Sequence, residues 1–157
     1  MWKEMQTLPP DGRQSETALM IARGVRRLLR ARGFSSVTEL VLADGRRADI
    51  AAVNGDGEVL IVEIKSSPTD FRADHKWRDY AACCDRLYFA ISEHTPVDVM
   101  PLEAGLIVAD PYGAEIVRGA ELRRMAPASR RSLLLRFAVA AADRLHRLAD
   151  PAAMLEF

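Results

Sequence analysis

The sequence predicts an α/β fold built on a mixed central sheet, and three observations carry that reading. The run Gly57-Glu58-Val59-Leu60-Ile61-Val62-Glu63-Ile64-Lys65 is almost unbroken apolar sequence closing on two charges, the pattern of a strand buried on both faces. Two turn signals, Ala43-Asp44-Gly45-Arg46 and Asn54-Gly55-Asp56-Gly57, divide the chain around it into short β-like runs and so imply a three-strand meander. A helical stretch then separates this strand from another β-like run. Strand, helix, strand implies a right-handed crossover and parallel pairing.

Taken in order, residues 1–14 carry Pro9, Pro10 and Gly12 and read as a loose N-terminal arm. Ser15 is a good N-cap, and Ala18, Ile21, Ala22, Val25, Leu28 and Leu29 follow helical spacing up to a stop at Gly33. Arg23, Arg27 and Arg30 fall on the other face; such a basic stripe is ordinarily solvated, with nucleic-acid contact the alternative. Ser36–Leu42 and Arg47–Val53 are the first two strands of the meander. Asp70 looks like the cap of a second helix, with Trp77, Tyr80, Ala81 and Cys84 on its apolar side and Arg72, Lys76 and Arg78 on the other. Arg86–Ser92 is the next strand, followed by a β-pair, Gly105–Ala109 and Ala114–Arg118. A last helix, from about Ser129 to Leu148, has an expected buried stripe of Leu133, Leu134, Phe137, Ala138, Ala141, Leu145 and Leu148, and Pro151 ends it. Residues 15–150 thus read as a single domain and residues 151–157 as a C-terminal tail.

At 157 residues, 49% hydrophobic and 28% charged, the chain has the composition of an ordinary globular domain. No run reaches the length of a membrane span and no signal-peptide core is evident, so a cytoplasmic location is expected. Basic and acidic residues balance at 22 each; contact with nucleic acid must therefore use a local patch. The neighbours Cys83 and Cys84 have no zinc-site spacing and are expected as reduced, partly buried thiols. His75, His94 and His146 lack ligand spacing and read as structural or surface groups.

The chemistry-bearing residues sit in the meander. Side chains alternate along a strand, so Glu63 and Lys65 share one side. Antiparallel pairing across the Asn54–Gly57 turn brings Asp49 beside Glu63. Two carboxylates on adjacent strands, with a lysine two residues on, suit a hard cation; the plain alternative is a structural ion pair at the strand mouth. Glu39 is either a spare acidic ligand or an edge charge.

Asp49 followed by Glu63-Ile64-Lys65 on neighbouring strands, within this element order, resembles the restriction-endonuclease-like fold and its PD-(D/E)XK motif, with Ala48 where the motif has Pro. The resemblance implies an α-β-β-β-α-β core with an added β-pair and a C-terminal packing helix. Gly45-Arg46-Arg47-Ala48-Asp49-Ile50, Val62–Ser67, Asp70-Phe71-Arg72, Asp74, Lys76-Trp77, Tyr80, Cys84-Asp85-Arg86 and the later Pro101, Gly105-Leu106, Ala109-Asp110 and Tyr112-Gly113 resemble the MmcB family, described as DNA repair endonucleases. That similarity runs from about Glu16 to Arg118.

The resemblance implies that Asp49, Glu63 and the Ile64 carbonyl bind Mg2+ (or Mn2+), and that Lys65 activates water or stabilises phosphate charge. Glu16 matches an extra acidic residue of resolvase-like members; its other reading is a carboxylate favoured by the helix dipole. Lys76 and Tyr80 match a Gln-x-x-x-Tyr element, with Lys in place of Gln. Trp77 is read as core before base-stacking platform, and Arg46 and Arg47 as phosphate grips. A divalent ion on two carboxylates lowers the pKa of a water and polarises phosphate, so the expected activity is metal-dependent DNA cleavage in repair. DNA is the expected partner, with no membrane and no small-molecule cofactor. A non-catalytic nucleic-acid-binding or scaffold domain of the same fold is the alternative.

Overall fold

The computed structural model describes residues 15–67 and 77–152. Among them, six strands form one sheet in chain order: β1 (Ser35–Val41), β2 (Arg47–Val53), β3 (Val59–Ile64), β4 (Arg86–Ser92), β5 (Gly105–Ala109) and β6 (Ala114–Arg118). The pairs β1–β2 and β2–β3 are antiparallel, β3–β4 and β4–β5 parallel, and β5–β6 antiparallel. The turns are those that the sequence marks. Gly45 and Gly57 take φ of +85° and +80°, a region where a Cβ is costly. Asp44 Oδ1 accepts from the Arg46 N–H, and Asn54 Oδ1 from those of Asp56 and Glu58, so both loops are closed by their own side chains.

Among the described residues three α-helices cover the sheet: α1 (Glu16–Ala31), α2 (Trp77–Ala81) and α3 (Pro127–Ala149). Ser15 caps α1, its hydroxyl accepting from the Ala18 N–H at 3.1 Å. On one face Ile21, Val25 and Leu29 of α1 pack against Ile50, Val62, Ala90 and Ile107, each buried side chain contributing about 1.5–3 kcal/mol. A Cβ on Gly24 would meet the Asp110 and Gly113 carbonyl oxygens at 2.1 and 2.4 Å; glycine here lets α1 rest directly on the β5–β6 turn. On the other face Trp77, Tyr80, Leu133, Leu134 and Phe137 pack over Ala51, Val59 and Ile61. Cys84, expected on the apolar side of the second helix, lies beyond the end of α2 but is buried in this same cluster. The element order is that of a restriction-endonuclease-like core with an added β-pair and a terminal helix.

One expectation about α3 fails. Leu133 is buried, and Leu134, Phe137 and Ala141 pack beside it, but Ala138 is exposed, Leu145 is 67% exposed and Leu148 60%. The strand that α3 chiefly meets is β1, the sheet's edge, where Arg144 donates to the Thr38 and Glu39 carbonyls at 2.5 and 3.2 Å. The helix keeps its period past that point, but no sheet remains beneath it. The expected arm over residues 1–14, the helix start at Asp70, Arg72, His75, Lys76 and residues 153–157 of the expected tail lie outside the described residues. Among the described residues no helix is long and apolar enough to cross a membrane.

Candidate active site where the second and third strands part

Asp49 and Glu63 meet where the β2–β3 ladder stops. Its last pair is Ile50 with Val62. Beyond it, side chains take over the ladder's hydrogen bonds. The Ile64 N–H donates to Asp49 Oδ2 at 2.8 Å, and the Asp49 N–H donates to Glu63 Oε1 at 3.3 Å. Glu63 is 4% exposed and Asp49 is partly buried. Burial, and then the charge on Asp49, push the Glu63 carboxyl up to about 9. Burial also raises Asp49, against the pull of the Ile64 N–H, Glu63, Lys65 and Arg47. Burial and the neighbouring charge thus favour the neutral form of the Glu63 carboxyl at neutral pH.

Lys65 is buried at the mouth of β3. Its backbone N–H reaches the Ala90 carbonyl at 2.9 Å, and its ammonium lies 6.0 Å from the centre of the Phe89 ring, within cation–π range. Phe89 is the strand partner of Glu63, and Trp77 meets it edge to face at 6.0 Å and 73°. Trp77 is thus part of the packing beneath the site. The available donors are two carboxylates and the Ile64 carbonyl, and among the described residues no third His, Cys, Asp or Glu joins them. That all-oxygen set fits Mg2+ or Mn2+, hard ions that keep several waters, and a cation there would neutralise the charge that Asp49 and Glu63 press on each other.

The flanking residues form a clasp. Arg46 pairs with Asp79 of α2 at 2.5 Å and with Asp44 at 3.7 Å, and its guanidinium lies 6.0 Å from the centre of the Tyr80 ring. The Tyr80 hydroxyl donates to the Arg47 carbonyl at 3.2 Å, and Arg47 pairs with Glu39 at 2.6 Å. Together these contacts hold α2 over the start of β2, beside Asp49. Glu39 is thus an ion-pair partner of Arg47. Its backbone is strained at φ +54°, and it falls between Thr38 and Leu40, whose partners Ile50 and Ala48 flank Asp49. The structure does not bring Glu16 to the pair: it is exposed in the first turn of α1, whose apolar stripe packs on the opposite sheet face. His94 and His146 are exposed. Burial pushes the Cys84 thiol up to about 12, so it is no nucleophile at neutral pH.

Sequence reasoning missed Asp85. Its carboxylate is 3% exposed and accepts two bonds from Arg130, at 2.6 and 2.7 Å, and one each from the Val59 and Met125 N–H groups at 2.8 and 3.0 Å. Burial pushes the Asp85 carboxyl up, but the Arg130 guanidinium and these N–H groups outweigh it and hold the group at about 2. One residue thereby fastens α3 to the start of β3. The only local signal was an acidic residue directly ahead of a buried strand; its partner is 45 positions away.

The family described as DNA repair protein MmcB-like matches residues 5–152. A solved structure, a protein of unknown function from Silicibacter pomeroyi, is 46% identical, with 88% of this chain and 94% of that chain covered and a TM-score of 0.84. No curated protein matches the chain.

Proposed function

The chain belongs to the MmcB-like DNA repair protein family, and from that premise we propose that it is a metal-dependent DNA endonuclease that hydrolyses phosphodiester bonds in repair. The observation that carries the reading is the placement of Asp49, Glu63 and Lys65 at one sheet end, with the two carboxyls tied into the end of the β2–β3 ladder and both raised by burial. Asp49 and Glu63, with the Ile64 carbonyl, would hold Mg2+ or Mn2+, which supplies a water of lowered pKa and a polarised phosphate when bound. Asp49 is held in position by the Ile64 N–H through Oδ2, and its carboxylate would be one of the groups that hold the cation. Lys65 contributes a fixed positive charge where negative charge grows on the phosphate. Phe89 and Trp77 keep water from the back of the site.

The test is nicking of plasmid, branched, damaged and single-stranded DNA with Mg2+ or Mn2+, by the wild type and by Asp49→Asn. Metal-dependent nicking that disappears in the variant while DNA binding persists supports the proposal. DNA binding without nicking of any substrate replaces it with the scaffold reading.

A further inference from the structure

The α1 face that carries the arginines is exposed, but it is more than a plain solvated stripe. It forms one wall of a groove of about 890 Å³, whose other wall is the edge strand β1. Arg23, Arg26, Arg27 and Arg30 all line it, together with Ser36 and Thr38 of β1, and none of its lining residues is acidic. The spacing i, i+3, i+4, i+7 puts the four guanidiniums on one side of the helix. In a chain whose charges balance at 22 against 22, four cations in a groove without a carboxylate are a local concentration of positive charge. Two of them are held in place through neutral acceptors, which leaves their charge uncancelled. Arg26 donates to the Ser36 hydroxyl and carbonyl at 3.0 and 3.2 Å, and Arg27 to the Tyr112 carbonyl at 3.2 Å. Among the described residues nothing pairs with Arg23 or Arg30.

We propose that this groove binds the phosphate backbone of a nucleic-acid strand, a DNA strand on the nuclease reading, on which this inference rests and to which it adds a second contact surface for the substrate. Arg23 to Arg30 covers about 10 Å of helix. One strand of duplex presents a phosphate about every 3.4 Å of axis, so the row spans about three phosphates and exceeds a single phosphate or headgroup. Guanidinium forks suit phosphate oxygens, and the groove's hydroxyls add neutral donors. The groove lies across the β1 edge from the site, on the opposite face of the sheet: Thr38 lines the groove, and the next residue along β1, Glu39, lies level with Asp49.

The experiment measures binding of labelled duplex and single-stranded DNA by the full chain in EDTA, where cleavage is blocked, between about 50 and 200 mM salt. Arg23→Glu/Arg30→Glu should weaken binding about tenfold or more. It should also flatten the slope of log affinity against log salt by roughly 0.9 per lost duplex contact, or roughly 0.7 per single-strand contact. Arg23→Lys/Arg30→Lys should keep most of both. Matched thermal melts establish folding, and if charge reversal misfolds the protein, Arg23→Gln/Arg30→Gln takes its place. Unchanged affinity and slope overturn the inference even where the wild type nicks DNA. Arginine-dependent binding by a wild type that nicks nothing supports the groove while the nuclease reading fails. Arginine-dependent binding to phosphatidylserine vesicles without DNA binding also overturns it.

Discussion

Glu63→Gln isolates the energetic character of the site, because glutamine reproduces the protonated carboxyl that the metal-free protein holds. Glu63 titrates near 4.5 in an unfolded chain and is pushed up to about 9 in the fold by burial and by Asp49. Between those values the folded state binds the proton that the unfolded state releases, so stability falls as pH rises from 4.5 towards 9. At about 1.36 kcal/mol per pH unit, the loss accumulated by pH 7 is about 3 kcal/mol. The variant never ionises and escapes it. Urea melts in EDTA should therefore find Glu63→Gln more stable than the wild type by up to about 3 kcal/mol at pH 7, with no advantage below pH 4.5 and a larger one at pH 8.5. That is the reverse of the usual outcome for a substitution at a buried polar residue.

Metal completes the same argument. A divalent ion would displace the proton that Glu63 keeps, so its apparent affinity should rise about tenfold per pH unit below 9. It should stabilise the wild type by about 2.7 kcal/mol at 100 times its dissociation constant, and Glu63→Gln should lose most of that gain. If Glu63→Gln is instead less stable than the wild type at pH 7, and metal shifts neither melt, Glu63 is an ionised structural partner of Lys65 and the cation site does not exist.

Lys65→Ala should still bind metal and DNA but cleave ~10²–10³ times more slowly; single-turnover rates that match the wild type remove Lys65 from the chemical step. Changing Arg46 and Arg47 together to Ala should flatten the salt dependence of DNA binding by roughly 0.9 per lost phosphate contact; an unaltered slope confines them to Asp79, Asp44 and Glu39, the carboxylates that they pair with. Asp85→Asn should cost roughly 3–5 kcal/mol by leaving Arg130 without its anion. The depressed carboxyl of Asp85 should also cost the wild type about 2 kcal/mol as pH falls from 3.8 to about 2, a loss that denaturant melts should find absent in the variant.

The sheet was legible because its signals are local. The Asp44-Gly45 and Asn54–Gly57 turns close through side chains two to four residues away, and the register they set puts Asp49 level with Glu63 without any knowledge of the rest of the fold. What periodicity could not contain is the width of the sheet: Leu145 and Leu148 keep the apolar spacing of α3 but lie beyond the β1 edge. Long-range ion pairs were hidden for a similar reason. Arg46 was read as a phosphate grip at a turn, and its partner Asp79 belongs to a helix that folds over it only in three dimensions. Glu39 was weighed as a spare ligand or an edge charge, on the strand side of Val37 and Val41; a positive φ, with Arg144 holding the Thr38 and Glu39 carbonyls, breaks that alternation.

The candidate site lies where regular pairing ends, and this governs how it has to be probed. Past Ile50 and Val62 the backbone N–H groups of Asp49 and Ile64 have carboxylate oxygens as acceptors in place of strand carbonyls. The two acids therefore do what a ladder would do as well as what a cation site would do. Alanine at Asp49 removes both roles together and leaves the Ile64 N–H without its acceptor, at a cost of about 1–3 kcal/mol, so loss of nicking in that variant would not separate chemistry from folding. Asparagine keeps an oxygen for the Ile64 N–H and removes the charge alone. Reading Asp49→Asn beside Asp49→Ala splits the two contributions: a variant pair equal in DNA cleavage but different in melting temperature assigns the charge to catalysis and the oxygen to the fold.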